Sequence, residues 1–232
     1  MARDFDGVDD TISCGSDASV DQMNPKTLLL WLVLDADTND APFWTKIGTD
    51  ALGWLFVLLN APDDLLYYEE RFSGTDGAWY TATTVIATGT LYHIALVYDN
   101  SDVANVPTFY VNGVAQTTTV ITTPTGTVDS DAANSLRMGA YDSGGASRVD
   151  GRLGFMEVEN AALSVANINR HRWWGCTPGG PSTMNVWHPL WTDSLVNKGT
   201  ATANGVATGT TMDNATVPRA ERMWGSMMGV GR

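Results

Sequence analysis

The phrase Glu157-Val158-Glu159 comes closer to a catalytic spacing than any other pair of acids in the chain. On a β-strand, side chains two positions apart point to the same face, about 7 Å from one another. Carboxylates at such a separation can cleave a glycosidic bond, one as general acid and the other as nucleophile or base. The segment continues as Asn160-Ala161 without a third acid. We therefore interpret the pair as the solvated end of a strand, and a glycosidase is the most remote of the alternatives.

The other residue types that commonly carry catalysis show no catalytic spacing. The three histidines, His93, His171 and His188, form no pair at zinc-ligand spacing. Apolar neighbours surround His93 within a predicted strand, which favours a hydrogen-bonded histidine in the core. The chain has neither the Gly-x-Ser-x-Gly phrase of serine hydrolases nor a glycine-rich phosphate loop. The sequence therefore predicts a protein that is not an enzyme.

Aromatic residues are the remaining candidates for ligand binding, because the chain has nine Trp and seven Tyr. Aromatic rings on a sheet can stack against sugar rings and line a groove. Two neighbouring predicted strands carry the candidate glycan contacts: Tyr67, Tyr68, Trp79 and Tyr80. Trp54 could belong to the same groove. The alternative is that tryptophans at strand positions fill the core, and we favour that interpretation for Trp31 and Trp54.

Composition and charge narrow the classes of partner. Apolar residues make up 44% of the chain and charged residues 17%, a globular composition that allows a sizeable core. With 26 acidic and 13 basic residues, the formal charge is −13. Such a surface repels phosphate backbones, so we expect no binding to nucleic acid. The longest apolar runs, 28–34 and 52–59, are too short to cross a membrane.

The cysteines and the N-terminus indicate the compartment. Two cysteines, Cys14 and Cys176, are too few for a disulfide framework. They form either one bridge or two packed thiols, and we favour thiols because buried cysteine behaves as a small hydrophobe. No apolar signal region precedes the first predicted strand. We therefore expect the chain to be made and folded in a cytoplasm.

Short strands at even spacing are the elements that must position these residues. Apolar or alternating stretches, separated by turn residues, recur through the first 160 positions. The run 27–34 is continuously apolar, which is typical of a strand buried on both faces, and 91–98 predicts a second central strand. About ten or more such strands predict an all-β fold, a two-sheet antiparallel jelly-roll sandwich. One helix is expected over 165–174, capped by Ser164 and ended by Gly175.

Four phrases stand in the order that is typical of one protein family. They are FDGVDD from residue 5, HIALVYD from residue 93, FYVNGV from residue 109 and RVDGRLGFMEV from residue 148. In this order, with Leu163-Ser164 after the last, they resemble the laminin-G-like branch of the concanavalin A-like lectin/glucanase jelly rolls. The resemblance covers residues 4–174 and implies a β-sandwich that presents a sheet face and loops to a partner, in most members without catalysis.

The resemblance also implies a candidate calcium site, since relatives of this type often hold the ion between loops. Aspartates cluster at positions 4, 6, 9 and 10 and again at 35, 37 and 40, and oxygen ligands at this density could take a hard cation. Asp6 and Asp150 are the candidate ligands because strand-terminal sites in this fold use such positions. The alternative is that the first cluster serves a turn and that the fold needs no cofactor.

Residues 176–232 lie outside the resemblance and form a predicted irregular C-terminal extension after a sandwich domain at 1–175. The end of this extension is apolar but rich in glycine, so its side chains must pack on the domain or on a neighbouring subunit. The candidate assembly contacts share this segment: Met223, Trp224, Met227 and Met228.

A lectin-like fold without a secretion signal, with an acidic surface and an apolar arm, is typical of a virion protein that is assembled in the host cytoplasm and released by lysis. The leading hypothesis is a non-enzymatic capsid decoration protein on the virion surface of a phage. It would attach to other virion proteins or to copies of itself, and bind surface glycans, without entering a membrane. The alternative is a carbohydrate-binding adhesin or accessory module of a cellular microbe, placed at the cell surface or outside the cell.

Overall fold

The structure is a computed structural model that describes residues 2–36, 40–59, 64–141, 147–174, 184–188 and 206–213. Within these ranges the chain forms sixteen strands and one α-helix, α1 (Val165–Trp174). The strands are, in chain order, β1 (Ala2–Asp6), β2 (Thr11–Ser13), β3 (Lys26–Leu34), β4 (Ala41–Ile47), β5 (Gly53–Leu59), β6 (Leu65–Glu70), β7 (Gly77–Thr81), β8 (Leu91–Tyr98), β9 (Thr108–Val111), β10 (Val114–Ala115), β11 (Thr118–Thr122), β12 (Arg137–Met138), β13 (Asp150–Glu159), β14 (Met184–His188), β15 (Val206–Thr208) and β16 (Thr211–Asp213).

Two antiparallel sheets of eight strands each form a sandwich. Sheet A has the order β10-β9-β8-β3-β13-β1-β16, and β14 also pairs with β13. Sheet B has the order β11-β7-β6-β5-β4-β12-β2-β15. This arrangement confirms the predicted all-β jelly-roll fold with a single short helix. None of the described helical residues forms a span long and apolar enough to cross a membrane.

The position of β3 in the centre of sheet A explains why residues 28–34 of this strand are continuously apolar. It pairs with β13 on one side and with β8 on the other, and all nine of its residues are buried. Leu28, Leu30 and Leu32 point into the main core between the sheets. On the outer face of sheet A, Leu29 packs with Ile168 of α1. Each fully buried leucine contributes about 1.5–3 kcal/mol relative to an exposed one, so both faces of this strand hold the fold together.

The helix begins and ends where its sequence predicts. The Asn167 amide lies 3.4 Å from Ser164 Oγ, and the Ile168 amide donates to the Ser164 carbonyl at 3.0 Å. At the other end, Arg172 Nη1 donates to the Asn112 carbonyl at 2.8 Å. Asn112 and Gly113 both have positive φ, at 52° and 79°, as a type I′ hairpin turn requires. This bond therefore ties α1 to the hairpin of β9 and β10.

Two lysines lie in the interior, where each has a carboxylate partner. Lys26 Nζ forms an ion pair with Glu70 Oε1, and both side chains are buried. Lys46 Nζ pairs with Asp131 Oδ1 at 3.2 Å and with Asp21 Oδ1 at 2.8 Å. A buried ammonium group is tolerated only when its charge is compensated in this way.

The described parts of the predicted extension join the sandwich itself. Strand β14 pairs with β13, β15 pairs with β2, and β16 pairs with β1, so segments after residue 175 add strands to both sheets. Cys14 is buried in the core, whereas Cys176 lies outside the described residues. The candidate assembly contacts also lie outside them and stay predictions: Met223, Trp224, Met227 and Met228.

Candidate functional site

The outer face of sheet B carries a row of side chains that strand register brings side by side. Tyr67 of β6 lies opposite Val57 of β5 and Tyr80 of β7, and Tyr80 lies opposite Thr119 of β11. Because side chains alternate along a strand, these residues share the face that points away from the core. Both tyrosines are partly exposed. We call this surface, built around Tyr67, Tyr80 and the neighbouring Glu69, the tyrosine face.

The other two aromatic candidates lie on the opposite side of the same strands. Tyr68 is 0% exposed and Trp79 is 1% exposed, and their rings stack inside the core with centroids 6.0 Å apart. Trp54 is buried beside Tyr68, which confirms its predicted core position. Buried rings have no face left for a sugar. The structure therefore corrects the predicted groove, in which only Tyr67 and Tyr80 point outward.

Polar groups of the tyrosine face form a connected network. Tyr67 Oη donates to Glu69 Oε2 at 2.5 Å, and Arg71 Nη2 bonds Glu69 Oε1 at 2.7 Å. Arg71 Nη1 forms a second ion pair with Asp76 Oδ2 at 2.6 Å, which extends the network. Burial, and then the Glu69 carboxylate, raise the pKa of Tyr67 well above its ordinary value. The phenol therefore remains a hydrogen-bond donor at neutral pH.

A third tyrosine borders the same network. Thr45 Oγ1 donates to the Tyr141 carbonyl at 3.1 Å, which holds this residue along β4. Burial, and then the charges of Asp40 and Glu69, raise the pKa of Tyr141, so it too stays protonated. Leu55 lies opposite both Thr45 and Glu69 in the sheet and is buried. The face thus combines aromatic rings, an apolar floor, a carboxylate and a guanidinium group, which suit a ligand with hydroxyl groups on an apolar ring.

Sequence reasoning found the two tyrosines of this face but missed Glu69, Arg71 and Tyr141. Glu69 and Arg71 could have been found from the sequence, because they stand two and four positions after Tyr67. Along one strand and just beyond its end, this spacing predicts that the three side chains share a face. Tyr141 comes from a distant part of the chain and has no local signal.

A cavity of about 360 Å³ lies at one end of the sandwich. Asn24, Asn100 and Ser101 supply polar groups, and Phe72 supplies part of an apolar wall. Asn100 Nδ2 donates to Glu70 Oε1 at 3.0 Å, the same oxygen that pairs with Lys26. Because that amide already serves the buried ion pair, the cavity is a weaker candidate for ligand binding than the tyrosine face.

The predicted calcium candidates lie at a corner of sheet A. Asp6 of β1 pairs in register with Asp150 of β13. Burial, followed by the charges of Asp35, Asp4 and Asp6, raises the pKa of Asp150. Among the described residues, however, the acidic side chains that converge are Asp6, Asp9 and Asp10. The structure therefore places Asp9 and Asp10 beside Asp6, in addition to Asp150 on the neighbouring strand.

The glutamates with catalytic spacing are not at a solvated strand end. Glu157 and Glu159 are both buried, and Glu157 Oε2 lies 3.8 Å from His171 Nε2 of α1. The prediction of exposure is wrong, because α1 lies against Glu157 and β14 pairs with this part of β13. A polymeric substrate could not reach carboxylates that are buried in this way.

The two histidines beside them form a buried pair. His93 Nε2 and His171 Nδ1 share a hydrogen bond of 2.7 Å, and this contact confirms that His93 is a hydrogen-bonded core histidine. Burial lowers the pKa of His171 to about 3. Burial and then the neighbouring His171 and Arg172 lower the pKa of His93 well below its ordinary value. The pair is therefore neutral in the folded protein.

Comparison with known proteins places this fold among lectin-like sandwiches. A laminin-G-like family model, described as the concanavalin A-like lectin/glucanases superfamily, matches residues 6–169. No curated protein sequence matches the chain. A proposed carbohydrate-binding protein of Bacteroides ovatus superposes with a TM-score of 0.62 at 15% identity, covering 94% of this chain and 62% of that one.

Two animal proteins share the same architecture. A heptameric SAP-like pentraxin of Limulus polyphemus has a TM-score of 0.58 at 13% identity, covering 88% of this chain and 93% of that one. Domains LG4–5 of the mouse laminin α1 chain have a TM-score of 0.51 at 10% identity, covering 71% and 44% of the two chains. At these identities the likeness extends to the fold alone.

Proposed function

The chain belongs to the laminin-G-like part of the concanavalin A-like lectin/glucanases superfamily, and on that premise we propose that it is a non-enzymatic glycan-binding module whose ligand lies on the tyrosine face. One observation carries the proposal. Tyr67 and Tyr80 are cross-strand neighbours on an outer sheet face, beside the Glu69 carboxylate. The carbohydrate-binding description of the Bacteroides ovatus structure supports the same class of ligand.

The chemistry of the face matches a sugar ring. The apolar C–H face of a pyranose stacks on an aromatic ring, and its hydroxyl groups need both donors and acceptors at the edge. Tyr80 supplies a ring, Glu69 supplies charged acceptor oxygens, and Arg71 supplies donors. Bonds to ionised groups are about twice as strong as neutral ones, which helps them to compete with water at a partly exposed site.

A glycan array followed by calorimetry with the best ligand tests the proposal. Tyr80→Ala removes the stacking ring, and we expect it to weaken binding by about tenfold or more, which corresponds to about 1.4 kcal/mol. Trp173→Ala is the matched control, because Trp173 is 54% exposed but lies on α1, across the other sheet. A loss of affinity in both variants, or in neither, would contradict a binding site at the tyrosine face.

We further propose that this module is a decoration protein on the surface of a phage virion, made in the host cytoplasm. The net charge of −13 and the apolar, glycine-rich end of the chain support this placement. That end would contact other virion proteins or further copies of the chain through Met223, Trp224, Met227 and Met228.

Light scattering of the full chain, compared with a chain that ends at Asp213, tests this placement. The shorter chain keeps every described strand, including β15 and β16. We expect an oligomer that dissociates on truncation. A monomer in both cases, still able to bind glycans, would instead favour a solitary adhesin or accessory module of a cellular microbe.

A further inference from the structure

Three aspartates converge where β1 turns back into β2. Asp6 ends β1, Asp9 and Asp10 precede β2, and one carboxylate oxygen of each lies within 4.8 Å of the other two. Asp6 and Asp9 are exposed, whereas Asp10 is only 2% exposed. Ionised carboxylates only accept hydrogen bonds, so these three side chains cannot satisfy one another.

Asp10 distinguishes this corner from an ordinary acidic turn. Its Oδ2 accepts the Asp6 amide at 2.5 Å. Its Oδ1 is buried and has no hydrogen-bond partner. An ionised oxygen that is buried without a donor or a cation is costly, so its presence indicates a missing positive group.

The turn at Gly209, between β15 and β16, closes one side of the same corner. A Cβ atom at Gly209 would lie 1.8 Å from Asp10 Oδ1 and 3.0 Å from Asp9 Oδ1. Both oxygens therefore lie directly beside the Gly209 backbone. Only glycine fits there, and its φ of 79° also favours glycine. The C-terminal strands thus cover the aspartates of the N-terminal turn.

Further negative charge surrounds the three side chains. Asp150 lies opposite Asp6 in the sheet, and Asp4 precedes Asp6 on the same face of β1. A cation at this point would relieve the repulsion and compensate the buried oxygen.

We propose that Asp6, Asp9 and Asp10 bind one Ca²⁺ ion, which holds the N-terminal turn against the turn at Gly209. Ca²⁺ lies 2.3–2.6 Å from its oxygen ligands, so it can bridge oxygens up to about 5 Å apart. Mg²⁺ requires a nearly ideal octahedral geometry and loses its water molecules reluctantly, so it fits such an open site less well. The exposed sides of Asp6 and Asp9 leave room for the water molecules that complete a calcium shell.

Calorimetry and Tb³⁺ luminescence on the full chain, first stripped with EDTA, test this site. We expect one Ca²⁺ per chain and a rise in Tm on binding. Asp9→Asn and Asp10→Asn should each weaken Ca²⁺ binding at least tenfold and remove the rise in Tm. Asp102→Asn is the matched control, because Asp102 is also an exposed turn aspartate, which accepts the Ala104 amide at 2.9 Å, and should leave both unchanged.

A second readout keeps the test valid if a variant folds poorly. In EDTA, Asp10→Asn removes a buried charge and should raise Tm above that of the unsubstituted protein. Hydrogen exchange of the amides in 206–213 should slow on addition of Ca²⁺ to the unsubstituted protein. Absence of binding at millimolar Ca²⁺ would overturn the proposal and leave a proton as the compensation for Asp10. Binding that survives both Asn substitutions would overturn it as well, by placing the ion elsewhere.

Discussion

The buried pair of His93 and His171 predicts that acid destabilises this protein below about pH 6.5. Both side chains are neutral in the folded state because burial lowers the pKa of each, that of His171 to about 3. In the unfolded chain both titrate near the ordinary value of 6.5. Below that value the unfolded state binds protons that the folded state does not bind. Stability is therefore complete above pH 6.5 and declines as the pH falls towards the folded pKa.

The loss of stability depends on how many pH units the solution lies below the pKa of the histidines in the unfolded chain. Each group with a lowered pKa costs about 1.4 kcal/mol of stability per pH unit in this window. At about pH 5, His171 alone removes about 2 kcal/mol. The pKa of His93 is lowered as well, so the loss from the pair exceeds that from His171 alone, in a domain whose total stability is typically about 5–15 kcal/mol.

Urea unfolding followed by tryptophan fluorescence between about pH 7.5 and about pH 5 measures this loss. The reference is the double variant His93→Gln/His171→Gln, measured in the same buffers with EDTA. Carboxyl groups with raised pKa values, such as Asp10 and Asp150, act in the opposite direction but occur in both proteins and cancel in the difference.

An equal pH dependence in the two proteins would refute the reasoning. It would mean that the Glu157 carboxylate, 3.8 Å from His171 Nε2, holds a proton on the folded pair.

Three further substitutions probe the fold around the site. Glu70→Gln leaves Lys26 buried without a counter-charge and should lower the free energy of unfolding in urea by about 3–5 kcal/mol. A decrease below about 1 kcal/mol would mean that the ammonium group loses its proton or reaches water. Ile168→Ala leaves a cavity where α1 packs on Leu29 and should lower the free energy of unfolding by about 2–5 kcal/mol in the same assay. A much smaller decrease would show that the helix contributes little to packing. In Gly113→Ala the alanine would have to keep a positive φ, with its Cβ 2.1 Å from Asn169 Oδ1. We therefore expect Tm to fall by an amount equivalent to about 1–2 kcal/mol. An unchanged Tm would show that the hairpin and α1 can move apart.

Local physical chemistry made several elements predictable from sequence. The helix over 165–174 follows from its Ser164 cap, and the hairpin turn follows from Asn112-Gly113, because both signals act within a few residues. The burial of β3 on both faces follows from its unbroken apolar run.

The face of sheet B required the tertiary structure. Alternation shows that Tyr67 and Tyr68 point to opposite sides, but both are aromatic, so the sequence leaves open which one meets the core. The packing of sheet A against sheet B decides that question and leaves Tyr67 and Tyr80 outside. The burial of Glu157 depends in the same way on α1, which only the folded chain places over β13.

The sequence by itself determined the strand pattern, the helix and the family of the fold, because those signals are short-range and repeated along the chain. Only the tertiary structure decided that Asp9 and Asp10, which lie beside Asp6, meet the turn at Gly209, about two hundred positions away, through the pairing of β15 with β2 and of β16 with β1. Contacts between such distant positions depend on how whole sheets assemble, and no local pattern of residue types encodes them.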